Sequence, residues 1–243
     1  MNKYLLSFFL FFISCTKSDY PDLLLKKLNI NKSDYNEYLI NRSNGIHRVM
    51  GIKETDSTWG IIAVHGHYPK GWLTKGFEWV DPIVKLSHRK IPVWFFKYDW
   101  NDCPENSTDY LFHEIEKLIE NNYHLDSLSI IGHSLGGVLT SLFAEKWKRD
   151  FPIAIHSVAA PLAGMKRQKS GCENISKAVY KISSTVNYTQ WKTVQIQDGA
   201  FKNLKFDPQD VFIEGGTSIL LPDKWNNSRL GHNRSIQWVC ENI

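Results

Sequence analysis

The chain has 243 residues, 42% of them hydrophobic, enough for one domain with a full core. Its formal net charge of +4 comes from 29 basic and 25 acidic residues spread along the sequence with no long Lys/Arg block, which excludes nucleic acid as the main partner. No internal repeat, low-complexity tract or Pro/Gly-rich linker divides it.

The first segment is informative. Lys3 is followed by an apolar run from Tyr4 to Ile13 and then by Ser14-Cys15. The run is too short to cross a bilayer as an ordinary helix but suits the hydrophobic region of a signal peptide. Phe12-Ile13-Ser14-Cys15 resembles a bacterial lipobox, with Phe where that motif usually carries Leu. The resemblance implies that residues 1–14 are removed and that Cys15 is lipidated as the mature N-terminus. Thr16 to Tyr20 would then tether the protein to a membrane surface. The expected location is a bacterial cell envelope, as a membrane-anchored lipoprotein, with a secreted protein as the alternative. Residues 15–58 read as tether and N-terminal extension, and 59–243 as one α/β domain. Export implies an oxidising compartment. Of the cysteines beyond Cys15, namely Cys103, Cys172 and Cys240, two can pair and one stays free, and the sequence does not choose the pair. No C-x-x-C spacing supports a structural zinc site.

Asn44-Gly45 signals a turn, and His47 to Lys53 a strand leading into the core sheet. From residue 59 onward, strand and helix patterns alternate, which predicts a mostly parallel sheet with helices on both faces. Ile61 to Val64, Val93 to Phe96, Leu128 to Ile131, Ile153 to Val158 and Thr193 to Ile196 read as strands. Helices are predicted over Phe77 to Ser87, through Leu111, Ile115, Leu118 and Ile119, from Val138 to Trp147, and from Asn233 to Asn242. The stretch from Pro161 to Thr193 is too short for a large cap domain, so the site is expected to be open or covered only by a small helix near residues 174–186.

Gly132-His133-Ser134-Leu135-Gly136-Gly137 has the G-x-S-x-G form of a nucleophile elbow, preceded by a strand and followed by a helix as that turn requires. A serine hydroxyl needs a base to take its proton and an acid to orient the base. In this fold class these follow in the order serine, acid, histidine. Two histidines follow Ser134. His156 sits within a predicted buried strand and reads as a core or rim residue. His232 lies in a loop before the last predicted helix, where a base can hang over the sheet edge, and is the choice. Asp198, Asp207, Asp210 and Glu214 are the candidate acids. Asp210 is favoured because Val211-Phe212-Ile213 would pin its loop into the core, with Asp198, directly after the last predicted strand, as the alternative and Asp207 third. The oxyanion would be held by the backbone N–H groups of Leu135 and of His67 in the loop His65-Gly66-His67-Tyr68. His65 and His67 form an H-x-H pair that suits a metal, yet no further ligand cluster follows, so no metal and no organic cofactor is expected.

Val64-His65-Gly66, the Ser134 elbow and Gly231-His232 before a terminal helix together resemble the α/β-hydrolase superfamily, over residues 59 to the C-terminus. The chain looks most like the compact lipase branch, small bacterial lipases without a lid domain, and also resembles inositol deacylases acting on glycosylphosphatidylinositol anchors. In those groups the acid lies in a D-x-x-[VI] context some twenty residues before the histidine, which Asp210-Val211-Phe212-Ile213 matches. His232 to Cys240 is similar to their H-x-x-S-I-x-W stretch, and Ala159 to Gly164 to a lipase strand end. Two places depart from the pattern. Tyr68-Pro69-Lys70 stand before Gly71 where the oxyanion loop commonly continues with glycine, and a long segment, Asp198 to Pro208, follows the last predicted strand. The resemblance implies a minimal α/β-hydrolase fold and a monomeric serine esterase or lipase acting on a small-molecule or lipid ester through Ser134, His232 and Asp210. Amide or thioester cleavage by the same residues, or a binding lipoprotein that keeps the fold, are the competing readings.

Overall fold

Short apolar strands and one-sided helices alternate along the chain, and the strands gather into one sheet because each has too little polar surface to lie exposed. The structure, a computed structural model, describes residues 22–164, 172 and 177–243. The expected leader, Cys15 and the tether Thr16 to Tyr20 lie outside the described residues. In chain order the elements are β1 (Leu23–Leu24), β2 (Gly45–Met50), β3 (Trp59–Val64), α1 (Val80–Ser87), β4 (Val93–Lys97), α2 (Pro104–Asn121), β5 (Ser127–His133), α3 (Leu135–Lys146) and β6 (Ile153–Val158). They continue with β7 (Val179–Lys181), β8 (Val186–Lys192), β9 (Phe212–Glu214), β10 (Thr217–Leu220), β11 (Lys224–Trp225), β12 (Ser228–Arg229) and α4 (Gly231–Asn242).

Eight strands form the main sheet in the order β1-β2-β4-β3-β5-β6-β8-β10. From β4 to β10 every pairing is parallel, and β2 runs antiparallel to β4. The sheet therefore takes in residues 45–50, ahead of the boundary at 59 expected from the sequence. A small parallel pair, β7 with β9, and a hairpin, β11 with β12, stand apart from it.

Alternation along β3 separates two cores. Ile62 and Val64 pack with Leu111 and Ile115 of α2 and with Val138, Leu142 and Phe143 of α3. Ile61 and Ala63 pack with Val80, Ile83 and Leu86 of α1 and with Ile236 and Val239 of α4. Both faces of the sheet are thus covered by helices, the arrangement the strand–helix alternation implies. Among the described residues no helix is long and apolar enough to cross a membrane.

Two local expectations are corrected. Thr193 to Ile196 is not a strand: β8 ends at Lys192, the Thr193 N–H donates to the Gln209 side chain at 2.9 Å, and the carbonyl of Val194 accepts from Gln197 and Asp198. With its backbone groups claimed locally, this stretch turns instead of pairing. The small helix near 174–186 is also absent over the described residues 177–186. Tyr180 on β7 is buried there with its hydroxyl donating to the Leu162 carbonyl at 3.0 Å, so the segment is tied down as a strand.

Candidate active site

β5 delivers the chain to Ser134 at the C-terminal edge of the sheet, and α3 begins at the next residue. Ser134 itself has φ 55° and ψ −119°, a conformation that a non-glycine residue adopts only under constraint. The constraints are visible. The Ser134 N–H donates to the Val158 carbonyl at 2.9 Å, and the Ser134 carbonyl accepts from Gly137 at 3.0 Å. A Cβ on Gly132 would lie 2.6 Å from Thr140 Oγ1 and against the Gly136 carbonyl. One on Gly136 would run into the carbonyls of Val64 and His65. Strand and helix approach that closely only because both positions are glycine.

His232 sits in the first turn of α4, one residue into the helix rather than in the preceding loop. Its Nδ1–H donates to Asp198 Oδ2 at 3.0 Å. Asp198 is completely buried; it also accepts from Thr193 Oγ1 at 2.5 Å and from the Ala200 N–H at 2.8 Å. Burial pushes its carboxyl up, but the hydrogen bond and charge of His232, with the donors from Thr193 and Ala200, outweigh that and hold it below the usual carboxylate range. Asp210, the acid favoured from sequence, is not near His232. It lies exposed and pairs with Lys192 Nζ at 2.7 Å. The reason is geometric: β8 stops at Lys192 and the chain turns at once, which brings Asp198 under α4 while the run after Asp210 becomes the outlying strand β9. Asp207 accepts from the Gln209 N–H, and Glu214 faces Lys181 at 3.9 Å. His156 accepts from Trp191 Nε1 within the sheet and stays out of the site.

Ser134 and His232 line one open cleft of about 1170 Å³, along with Gly66, His67 and Leu135. A Cβ on Gly66 would fall 2.9 Å from the Ser134 Cβ, so the loop after β3 passes directly over the serine and sets His67 beside it. Leu135 opens α3, where the first N–H groups have no carbonyl partner within the helix. His67 and Leu135, the residues whose N–H groups are the expected oxyanion donors, thus line the cleft on either side of Ser134.

His65 does not face the cleft. It is buried and stacks on Tyr98 at 4.3 Å; its Nδ1–H donates to the Gly66 carbonyl and its Nε2 accepts from the Tyr98 N–H. Burial holds its pKa down at about 3, so it is a neutral peg for the loop.

Several site residues carried no role in the sequence reading. His133, the variable residue of the elbow, donates from Nε2 to the His232 carbonyl at 3.1 Å and is kept neutral by burial and by the neighbouring His232, its pKa down at about 3. Its Nδ1 is buried with no partner among the described residues. Phe201 packs edge-on against the His232 ring at 5.0 Å. Tyr68 donates to Glu78 Oε1 at 2.5 Å, and Glu78 lines the cleft. Cys172 lines it too, bonded to Cys103, which leaves Cys240 as a buried free thiol among the described residues. No periodic or motif signal marks Phe201 or Glu78 in the sequence.

The lecithin:cholesterol acyltransferase family model matches residues 48–199, a span that includes Ser134 and Asp198. The chain belongs to that family of α/β hydrolases. Among curated proteins, the proline iminopeptidase of Saccharolobus solfataricus is 28% identical over 126 residues, 46% of this chain and 39% of that protein. The matched part of this family member thus spans about two fifths of that relative's length. Two solved structures share the fold at low identity. Est1E from Butyrivibrio proteoclasticus is 11% identical with a TM-score of 0.52, covering 81% of this chain and 89% of its own. A poly(3-hydroxybutyrate) depolymerase from Bordetella parapertussis is 10% identical with a TM-score of 0.50, covering 80% and 81%.

Proposed function

We propose that this family member is a serine hydrolase that cleaves a carboxylic ester through Ser134, His232 and Asp198. The observation that carries the reading is the buried Asp198–His232 hydrogen bond at 3.0 Å, opening onto the same cleft as a serine held on a strained elbow. A buried carboxylate fixes the imidazole with its proton on Nδ1, which leaves Nε2 to accept the Ser134 proton. The Ser134 oxygen then bonds to the acyl carbon, and the negative charge moves onto the carbonyl oxygen between the N–H groups of His67 and Leu135. His232 returns the proton to the departing alkoxide. Water, deprotonated by the same histidine, attacks the acyl-enzyme and releases the acid. A family named for acyl transfer fits this scheme, because an acyl-serine can pass its acyl group to water or to another hydroxyl.

A fluorophosphonate probe tests the reading. It should label the folded protein at Ser134 and leave Ser134→Ala unlabelled, and an ester panel should lose turnover in the same variant. Absence of labelling on folded protein would leave the chain as a binding module. Cleavage of amide or thioester analogues in preference to the matched esters would reassign the leaving group.

The Cys103–Cys172 disulfide supports export to an oxidising compartment, in keeping with a lipidated Cys15 and a membrane-anchored place in a bacterial cell envelope. A cleft open to its surroundings near a membrane favours lipid or other apolar acyl esters. Partition of the mature protein into the aqueous phase of a detergent mixture would remove the anchor from this proposal.

A further inference from the structure

The oxyanion loop lacks the glycine that commonly follows its His-Gly-x motif and carries Tyr68-Pro69-Lys70 instead. A loop that must hold the His67 N–H beside Ser134 needs another constraint. Tyr68 is buried with its ring stacked on His65 at 5.4 Å and edge-on to Trp100 at 5.2 Å. Its hydroxyl reaches Glu78 on the turn before α1, at 2.5 Å. Tyr68 Oη–H to Glu78 is a tertiary bond from the residue next to the oxyanion donor to a different element.

Resting on the reading of His67 as oxyanion donor, we propose that Tyr68 and Glu78 are positioning residues that hold the oxyanion loop over Ser134. Glu78 has no Lys or Arg ion pair among the described residues. The groups whose charge or hydroxyl faces it are Tyr68 from the loop after β3, Tyr35 from the N-terminal segment, Tyr98 after β4, and His232 from α4. Desolvation pushes its carboxyl up to about 7, against the Tyr68 hydrogen bond that lowers it. Near neutral pH it therefore changes charge. Its ionised form accepts the Tyr68 hydroxyl more strongly, because a charge-assisted bond is the stronger one. The loop is held tightest above that titration and loosens below it, so part of the acid limb of catalysis belongs to Glu78.

Two variants and two readouts test this. Tyr68→Phe keeps the ring packing and removes the donor. It should lower kcat about tenfold to a hundredfold with KM within about twofold, as loss of transition-state stabilisation does. It should also speed amide hydrogen exchange across residues 65–71. Glu78→Gln keeps an acceptor oxygen without the charge, and should give a smaller loss in kcat and a flattened acid limb. The proposal is overturned if Tyr68→Phe leaves kcat and loop exchange at wild-type values, or if it raises KM alone. It also falls if Tyr68→Phe fails to fold and Glu78→Gln keeps the wild-type pH profile and loop exchange. Hydrogen exchange reads the loop without catalysis. Faster exchange in Tyr68→Phe, with no labelling of the wild type by fluorophosphonate, would uphold the hold on the loop and sink the hydrolase reading instead.

Discussion

Asp198 and Asp210 are separated by twelve positions and have the same side chain, yet their surroundings differ in every respect that matters for orienting a base. Asp198 has no exposed surface and three donors, one of them His232. Asp210 is exposed and neutralised by Lys192, a surface pair worth little. Asp198→Asn should therefore lower kcat on any cleaved ester by roughly 10³–10⁴, since the amide cannot fix the imidazole in the required tautomer. Asp210→Asn should stay within about twofold. Steady-state kinetics on the two purified variants decide it, and the reverse ranking would return the role to Asp210. The same contrast has a pH signature. Because the folded state depresses the Asp198 pKa, its contribution to stability is present above the unfolded carboxylate value of about 3.9 and is lost as pH falls through the lower folded value. Denaturation curves of wild type and Asp198→Asn should accordingly converge as the pH is lowered below about 4.

At the scale of elements, the strand–elbow–helix unit was legible because each part has a local signature: an apolar strand, two glycines at fixed offsets and a helical repeat of Val138, Leu139, Leu142 and Phe143. The last strands were not. β8 has the inward positions Val186, Tyr188 and Gln190, and the buried glutamine breaks the apolar alternation. Gln190 belongs there because its amide donates to the Gln209 carbonyl and its carbonyl accepts from Ser218, partners that only the folded chain provides. With β8 missed, the turn after it could not be placed, and the acid was assigned beside an apolar run that lies away from His232. His232 needed no such tertiary knowledge, since Gly231-His232 adjoins a helix that is clear in the sequence. The elbow also carries its own prediction. Gly132→Ala sets a methyl 2.6 Å from Thr140 Oγ1 and against the Gly136 backbone, which cannot move without shifting α3. Overpacking of this kind should destabilise by about 1–3 kcal/mol in chemical denaturation and abolish labelling of Ser134 even where the fold survives. Full labelling in that variant would mean the elbow has slack that its contacts do not show.

Across the whole molecule, two helical layers enclose the sheet, while the cleft is walled largely by the irregular segments that leave the strand ends. The Cys103–Cys172 bond ties the loop before α2 to Cys172, across a sequence separation of 69, and both sides of that link, at Pro104 and Cys172, line the cleft. A cross-link over so long a loop removes much freedom from the unfolded chain and, on the chain-entropy account, contributes about 4 kcal/mol, with measured values more often roughly 2–4 kcal/mol. The buried thiol of Cys240 cannot substitute for it, since it lies in the core on the opposite face of the sheet among residues of α1 and α4. Replacing Cys103 and Cys172 together by serine should lower the free energy of unfolding, read from denaturation curves, by an amount in that range. The change in ester turnover should exceed what the lost stability alone explains, because the cleft wall is tethered by the same bond. If the double variant denatures with the wild type and turns over esters at the wild-type rate, the bond neither constrains the unfolded chain nor shapes the cleft, and the cores alone hold the site in place.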